Sequence, residues 1–262
     1  MAIQSEPGAP AGARPAPAPA ANGRAPLAVV RPAAPGRDEP GDLPERAYPE
    51  YAPPIVESEL NDQLRDELIE RLRLHCRADP LVYIWGDLFI YYERNNPRKS
   101  IGPDVFVVRG VPARPPRRIY RAWIEGKLPD FVLELVSERT LRRDLYAKRR
   151  LYAQLGIPEY FLFDLQGGLM LPTLRGLRLV EGQYEAVPET PEGGLYSEAL
   201  GLEFRERRRE RDGQFWLYLW DPAAQRWLPT PEEAERARAE AAEAEVARLR
   251  AMLDGRQSGE ER

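Results

Sequence analysis

The run Phe131-Val132-Leu133-Glu134-Leu135-Val136 constrains this chain more than any other feature. It is apolar at every position but one, the pattern of a β-strand covered on both faces. A second buried strand is expected at 159–165. Between them, apolar residues recur with a helical period over 141–155, capped by Ser137 or Thr140, and Gly156 stands where helices commonly end. Strand, helix, strand at this spacing predicts a right-handed parallel crossover and an α/β domain. A carboxylate inside such a strand is costly to bury without a partner.

Candidate partners lie on both sides in the sequence. Alternate residues of a strand share a face, so Glu134 points with Val132 and Val136. Downstream, Leu141, Leu145, Lys148, Tyr152 and Leu155 fall at offsets 0, 4, 7, 11 and 14 along one helix face, and Lys148 interrupts it. An ammonium there either reaches out to solvent or meets a carboxylate. Asp144, four residues earlier, is one such carboxylate, at the spacing of a helical salt bridge. Glu134 is the other, and that pairing places the ammonium where it steers a phosphate or a metal-bound water. An arginine partner is the plain structural alternative for Glu134.

Upstream, Asp104 follows Pro103 and opens the apolar run Val105-Phe106-Val107-Val108. Asp130 also follows a proline, but it lies four residues from Glu134 on one strand. That is roughly 13 Å at the usual strand rise, too far to share one ion. Asp104, on a separate strand, approaches Glu134 from a neighbour and is the preferred acid. Two oxygen ligands of this kind suit Mg²⁺, which keeps several waters and is often completed by a substrate phosphate. The chemistry that follows is phosphodiester hydrolysis.

Composition narrows the alternatives. The net charge of −4 gives no global positive field, so any basic surface is local. Arg114, Arg117, Arg118, Arg121 and Arg139, Arg142, Arg143 form two such groups, either phosphate contacts or solvated faces. One cysteine excludes an intrachain disulfide, and one histidine beside it excludes the usual zinc sites. His75 reads as a helix-surface residue. With no membrane-length apolar run and no signal pattern, the expected setting is soluble and cytoplasmic, with no membrane partner.

Three regions are expected. Residues 1–54 hold 13 of the 27 prolines and lack an apolar period, which predicts a disordered arm. Residues 55–228 form the main domain. Its first helix begins near Ser58, with Leu60, Leu64, Leu68 and Leu72 on one stripe. Strands are expected at 81–85 and 88–93, joined as a hairpin through Gly86-Asp87, and at 105–108. A hairpin within 169–187 turns at Gly182, and short strands near Glu203 and 216–219 make a small β-rich addition. Residues 229–262 form a C-terminal helix. Ala239, Ala242, Val246, Leu249 and Leu253 make a short coiled-coil seam, which either joins a homodimer or packs on its own domain.

From about 55 to 225 the chain resembles the Uma-two family of restriction endonucleases, within the PD-(D/E)XK nuclease superfamily. The resemblance rests on Tyr91-Tyr92, Pro97-Arg98-Lys99-Ser100, Pro103-Asp104-Val105-Phe106-Val107, Trp123, Pro129-Asp130-Phe131-Val132-Leu133-Glu134, Asp144, Lys148, Tyr152 and Leu155-Gly156-Ile157-Pro158-Glu159-Tyr160-Phe161. It implies a restriction-endonuclease-like mixed sheet flanked by helices, and a Mg²⁺-dependent endonuclease acting on nucleic acid, DNA first. It also implies that Asp104 and Glu134 are the superfamily's two metal-holding acids. The superfamily lysine belongs two residues after the glutamate, where this chain has Val136. The resemblance implies that Lys148 replaces it. Glu67 is the candidate for a first-helix glutamate that joins the site in some members, and Asp144 is a further candidate. The substitution at Val136 also keeps open an inactive nuclease fold that acts as a nucleic-acid-binding or protein-interaction module.

Overall fold

The computed structural model describes residues 39, 41–49, 59–209 and 214–260, with the side chains of 251 and 253–260 excepted. In chain order the elements are α1 (Glu59–His75), β1 (Val82–Trp85), β2 (Ile90–Tyr91), β3 (Ser100–Ile101), β4 (Val105–Arg109), β5 (Tyr120–Arg121) and α2 (Ala122–Glu125). There follow β6 (Phe131–Leu135), a π-helical turn (Arg143–Lys148) that runs into α3 (Arg149–Gln154), β7 (Glu159–Phe163), β8 (Leu174–Val180) and β9 (Gln183–Ala186). The last are β10 (Leu195–Ser197), β11 (Leu202–Arg208), β12 (Phe215–Asp221), β13 (Arg226–Trp227) and α4 (Pro231–Glu260). The architecture is mixed α/β.

A six-stranded sheet in the order β1-β4-β6-β7-β8-β9 carries the domain. Within this sheet only β6 and β7 run parallel, joined by the helix as the apolar runs predict. Their residues alternate between two packed faces. Phe131, Leu133, Leu135, Phe161 and Phe163 meet the Leu64, Leu68 and Leu72 stripe of α1, together with an antiparallel sheet β10-β11-β12-β13. Phe204 of that smaller sheet packs against Phe131 and Phe161 at ring-centroid distances of 5.3 and 5.1 Å. Val132, Val136, Tyr160 and Leu162 face the other way, onto Tyr152 and a three-stranded sheet β3-β2-β5. β6 is thus covered on both sides, and the even-numbered face carries Glu134.

Two expectations about the strands are corrected. Gly86-Asp87 does not close a hairpin. β1 pairs antiparallel with β4, and β2 leaves for the three-stranded sheet. A Cβ on Gly86 would land on the carbonyl oxygen of Asp104, so this glycine lets two backbones touch rather than turning a hairpin. The expected strand at 88–93 contracts to Ile90–Tyr91.

The part of the arm that is described is also placed against the domain. Tyr48 is buried, with its ring edge-on to Tyr91 at 4.9 Å. Asp42 pairs with Arg94, and Tyr91 donates to the Pro49 carbonyl at 2.6 Å. Residues 1–38 and the Ser58 cap lie outside the described residues.

The described side chains of the C-terminal seam are exposed, Val246 and Leu249 at 46% and 48%. The hairpin of β8 and β9 does turn at Glu181-Gly182, where both residues have positive φ.

Candidate active site

The site is built by register. Val105 pairs with Leu133 and Phe106 with Val132, so one further step sets Asp104 opposite Glu134 on the same face. Asp104, half-buried at the entrance to β4, accepts a hydrogen bond from the Leu135 amide at 2.6 Å. The rival Asp130 serves the far end of the strand. It accepts from the Arg109 amide at 2.7 Å and pairs with Lys127 at 2.7 Å.

Glu134 is 1% exposed and both its oxygens are engaged. Lys148 Nζ donates to Oε2 at 2.6 Å and Tyr152 Oη donates to Oε1 at 2.7 Å. Lys148 also pairs with Asp144 at 3.3 Å and reaches the Gly102 carbonyl at 3.3 Å. Both partners weighed for this lysine are therefore present at once. A π turn makes that reach available. It spans Arg143–Lys148, widens the helix locally, and carries Asp144 at its start and Lys148 at its end. Tyr160 fixes the turn by donating to the Asp144 carbonyl at 2.9 Å.

Three carboxylates, Asp104, Glu134 and Asp144, thus surround one ammonium. Burial, and then the charges of Asp104 and Asp144, push the Glu134 carboxyl up to about 8, although Lys148 opposes this. Burial pulls the Lys148 ammonium down, but Glu134, Asp144 and Asp104 outweigh it and raise the group above its ordinary value. Asp144 Oδ1 is buried and, apart from ion pairs with Lys148 at 3.3 Å and Arg143 at 3.9 Å, accepts no hydrogen bond. The cluster has an excess of negative charge and a spare buried oxygen, and its donors are all hard oxygens. A divalent cation of the magnesium type fits that environment. Among the described residues no group of three or more His, Cys, Asp or Glu side chains converges as a cage, so such an ion would rest on the Asp104–Glu134 pair and on water.

The cluster opens on a cleft of about 320 Å³ lined by Asp87, Ser100, Gly102, Asp104, Arg143 and Lys148. Asp87 was not foreseen here; Arg143 reads in the sequence as a phosphate contact or a solvated face, and Tyr152 as a member of the Lys148 stripe and of the family resemblance. Glu67 is not brought here. It lies on α1, the helix on the opposite face of the sheet, and pairs with Arg71 at 2.8 Å. His75 stands apart too, 3.9 Å from Asp221. Val136 is buried on the Glu134 face, packed as core.

The model of the Uma2 family, described as "Putative restriction endonuclease", matches residues 52–212, more than half of the 262 residues. The chain belongs to this family. Among solved structures, a putative nuclease belonging to DUF820 from Anabaena variabilis ATCC 29413 is similar at 16% identity and a TM-score of 0.41. The likeness covers 56% of this chain and 76% of that one. No curated protein matches the chain. No described helix is long and apolar enough to cross a membrane.

Proposed function

We propose that this chain is a Mg²⁺-dependent endonuclease that hydrolyses phosphodiester bonds of nucleic acid, DNA first. The observation that carries the reading is the cross-strand pair Asp104–Glu134 with the Lys148 ammonium 2.6 Å from Glu134. Asp104 and Glu134 would hold the cation. When bound, it supplies electrostatic stabilisation of the phosphoryl group and a more acidic water. Lys148 orients the Glu134 carboxylate and sets its positive charge beside the phosphate or the attacking water. Tyr152 fixes the second oxygen of Glu134, and Asp144 holds the ammonium from its other side. Arg143, half exposed at the rim of the cleft, meets the phosphate backbone.

A second reading, a fold that binds nucleic acid without cutting it, is favoured by Val136 in the position of the superfamily lysine. Magnesium titration over a mixed DNA and RNA substrate separates the two. The first reading expects cleavage that rises with Mg²⁺, stops in chelator and is absent in Glu134→Gln. Binding without cleavage in wild type at any Mg²⁺ concentration selects the second.

A further inference from the structure

The helix that aims Asp144 and Lys148 inward presents a different surface outward. Arg139 in the turn just before it and Arg142, Arg143, Tyr146, Arg149 and Arg150 along it are all exposed, Tyr146 at 67%. Spacings of three and four place these residues on one ridge. Among the described residues, Arg139, Arg142 and Arg150 form no ion pair, whereas Arg117, Arg121, Arg178 and Arg205 each do. Glu138, at the start of the ridge, is the one exposed acid of this stretch, since Asp144 is buried.

The ridge divides two concavities. On one side lies the cleft of the carboxylate cluster, lined by Arg143, Ala147 and Lys148. On the other is a groove of about 330 Å³ lined by Tyr146, Arg149, Arg150, Gly182, Gln183 and Tyr184. Arg149 is anchored there by donating to the Tyr184 carbonyl at 3.1 Å.

We propose that this ridge is the substrate track: a single nucleic-acid strand crosses it from the cleft to the second groove, with one unpaired base stacked on Tyr146. The proposal rests on the nuclease reading and names the form of its substrate. Charge complementarity selects the partner. Unpaired guanidinium groups in a row match the phosphate repeat. An exposed aromatic ring among them offers a face to a base that has left its duplex stack. A duplex interior offers no such base, so the preference is for single strands or frayed ends.

The test is binding of a fluorescent 20-nucleotide single strand and the matching duplex, measured by anisotropy in chelator so that nothing is cut. The proteins are wild type, Tyr146→Ala, Tyr146→Phe and the triple variant Arg139→Gln/Arg142→Gln/Arg150→Gln. All four residues are exposed, so unchanged melting temperatures confirm that any effect is local. The expected results are single-strand binding weakened about tenfold or more by Tyr146→Ala, spared by Tyr146→Phe, and duplex binding changed far less. The triple variant should lower the salt slope for the single strand by about 2. Wild-type binding that is unchanged in both Tyr146→Ala and the triple variant overturns the track and leaves the nuclease reading standing. No binding of either nucleic acid by wild type overturns both.

Discussion

Without a bound cation the Glu134 carboxyl holds its proton more tightly than an ordinary glutamate, because burial and two neighbouring carboxylates outweigh one ammonium. The sign of the consequence follows from linkage. The folded state binds this proton up to about 8, while the unfolded chain releases it near the ordinary 4.5. Between these values the folded state holds more protons, so stability from this group is full below 4.5 and is lost as pH rises through 8. Denaturation in chelator across this window should show wild type losing stability with pH and Glu134→Gln losing less. A steeper decline in the variant would contradict the assignment. Tyr152→Phe removes the donor to Glu134 Oε1 and should cost about 1–3 kcal/mol, read from the same curves.

At the scale of elements, two close approaches build the site. One is Gly86 against Asp104. Gly86→Ala should push β1 from β4, cost about 1–3 kcal/mol and reduce cleavage together with stability. Retained melting temperature would show that the backbones separate freely. The other is the π turn. The crossover strands, the helix between them, Glu134 and Lys148 were legible because an apolar pattern broken by a charge is visible in one sequence. The π turn was not, since it is a one-residue accommodation that no periodicity announces. The pairing of β1 with β4 rather than β2 was hidden for a related reason. Gly86 reads as a turn residue, and only the long-range partner reveals that it admits a carbonyl oxygen. Glu67 was misplaced because a helical stripe tells which residues face the sheet, but not which face of the sheet they meet.

For the whole molecule, the appendages divide by burial. Residues 42–49 are held through Tyr48 and Asp42, so limited proteolysis should spare the bonds around Tyr48 in wild type and cut them in Tyr48→Ala. Equal cutting in both would contradict the docked arrangement. The described side chains of α4 beyond Ala234 are exposed, so truncation after Thr230 should leave the melting temperature of an isolated domain nearly unchanged. A large loss would show that the seam is buried against a second copy. The small sheet is tied in by Glu159, which accepts from the Ser197 hydroxyl and the Glu198 amide, so it belongs to the main domain's core rather than to the tail.

The central claim is that the buried ammonium serves chemistry and does not only balance charge. Lys148 stands between Glu134 and Asp144, so Lys148→Met should cost about 3 kcal/mol by leaving buried Asp144 with only Arg143, 3.9 Å away. The measurement is the Mg²⁺-dependent cleavage rate of this variant beside wild type, at a temperature where circular dichroism shows both folded. The account predicts a loss of about a hundredfold or more. A folded Lys148→Met protein that cleaves at the wild-type rate would contradict it.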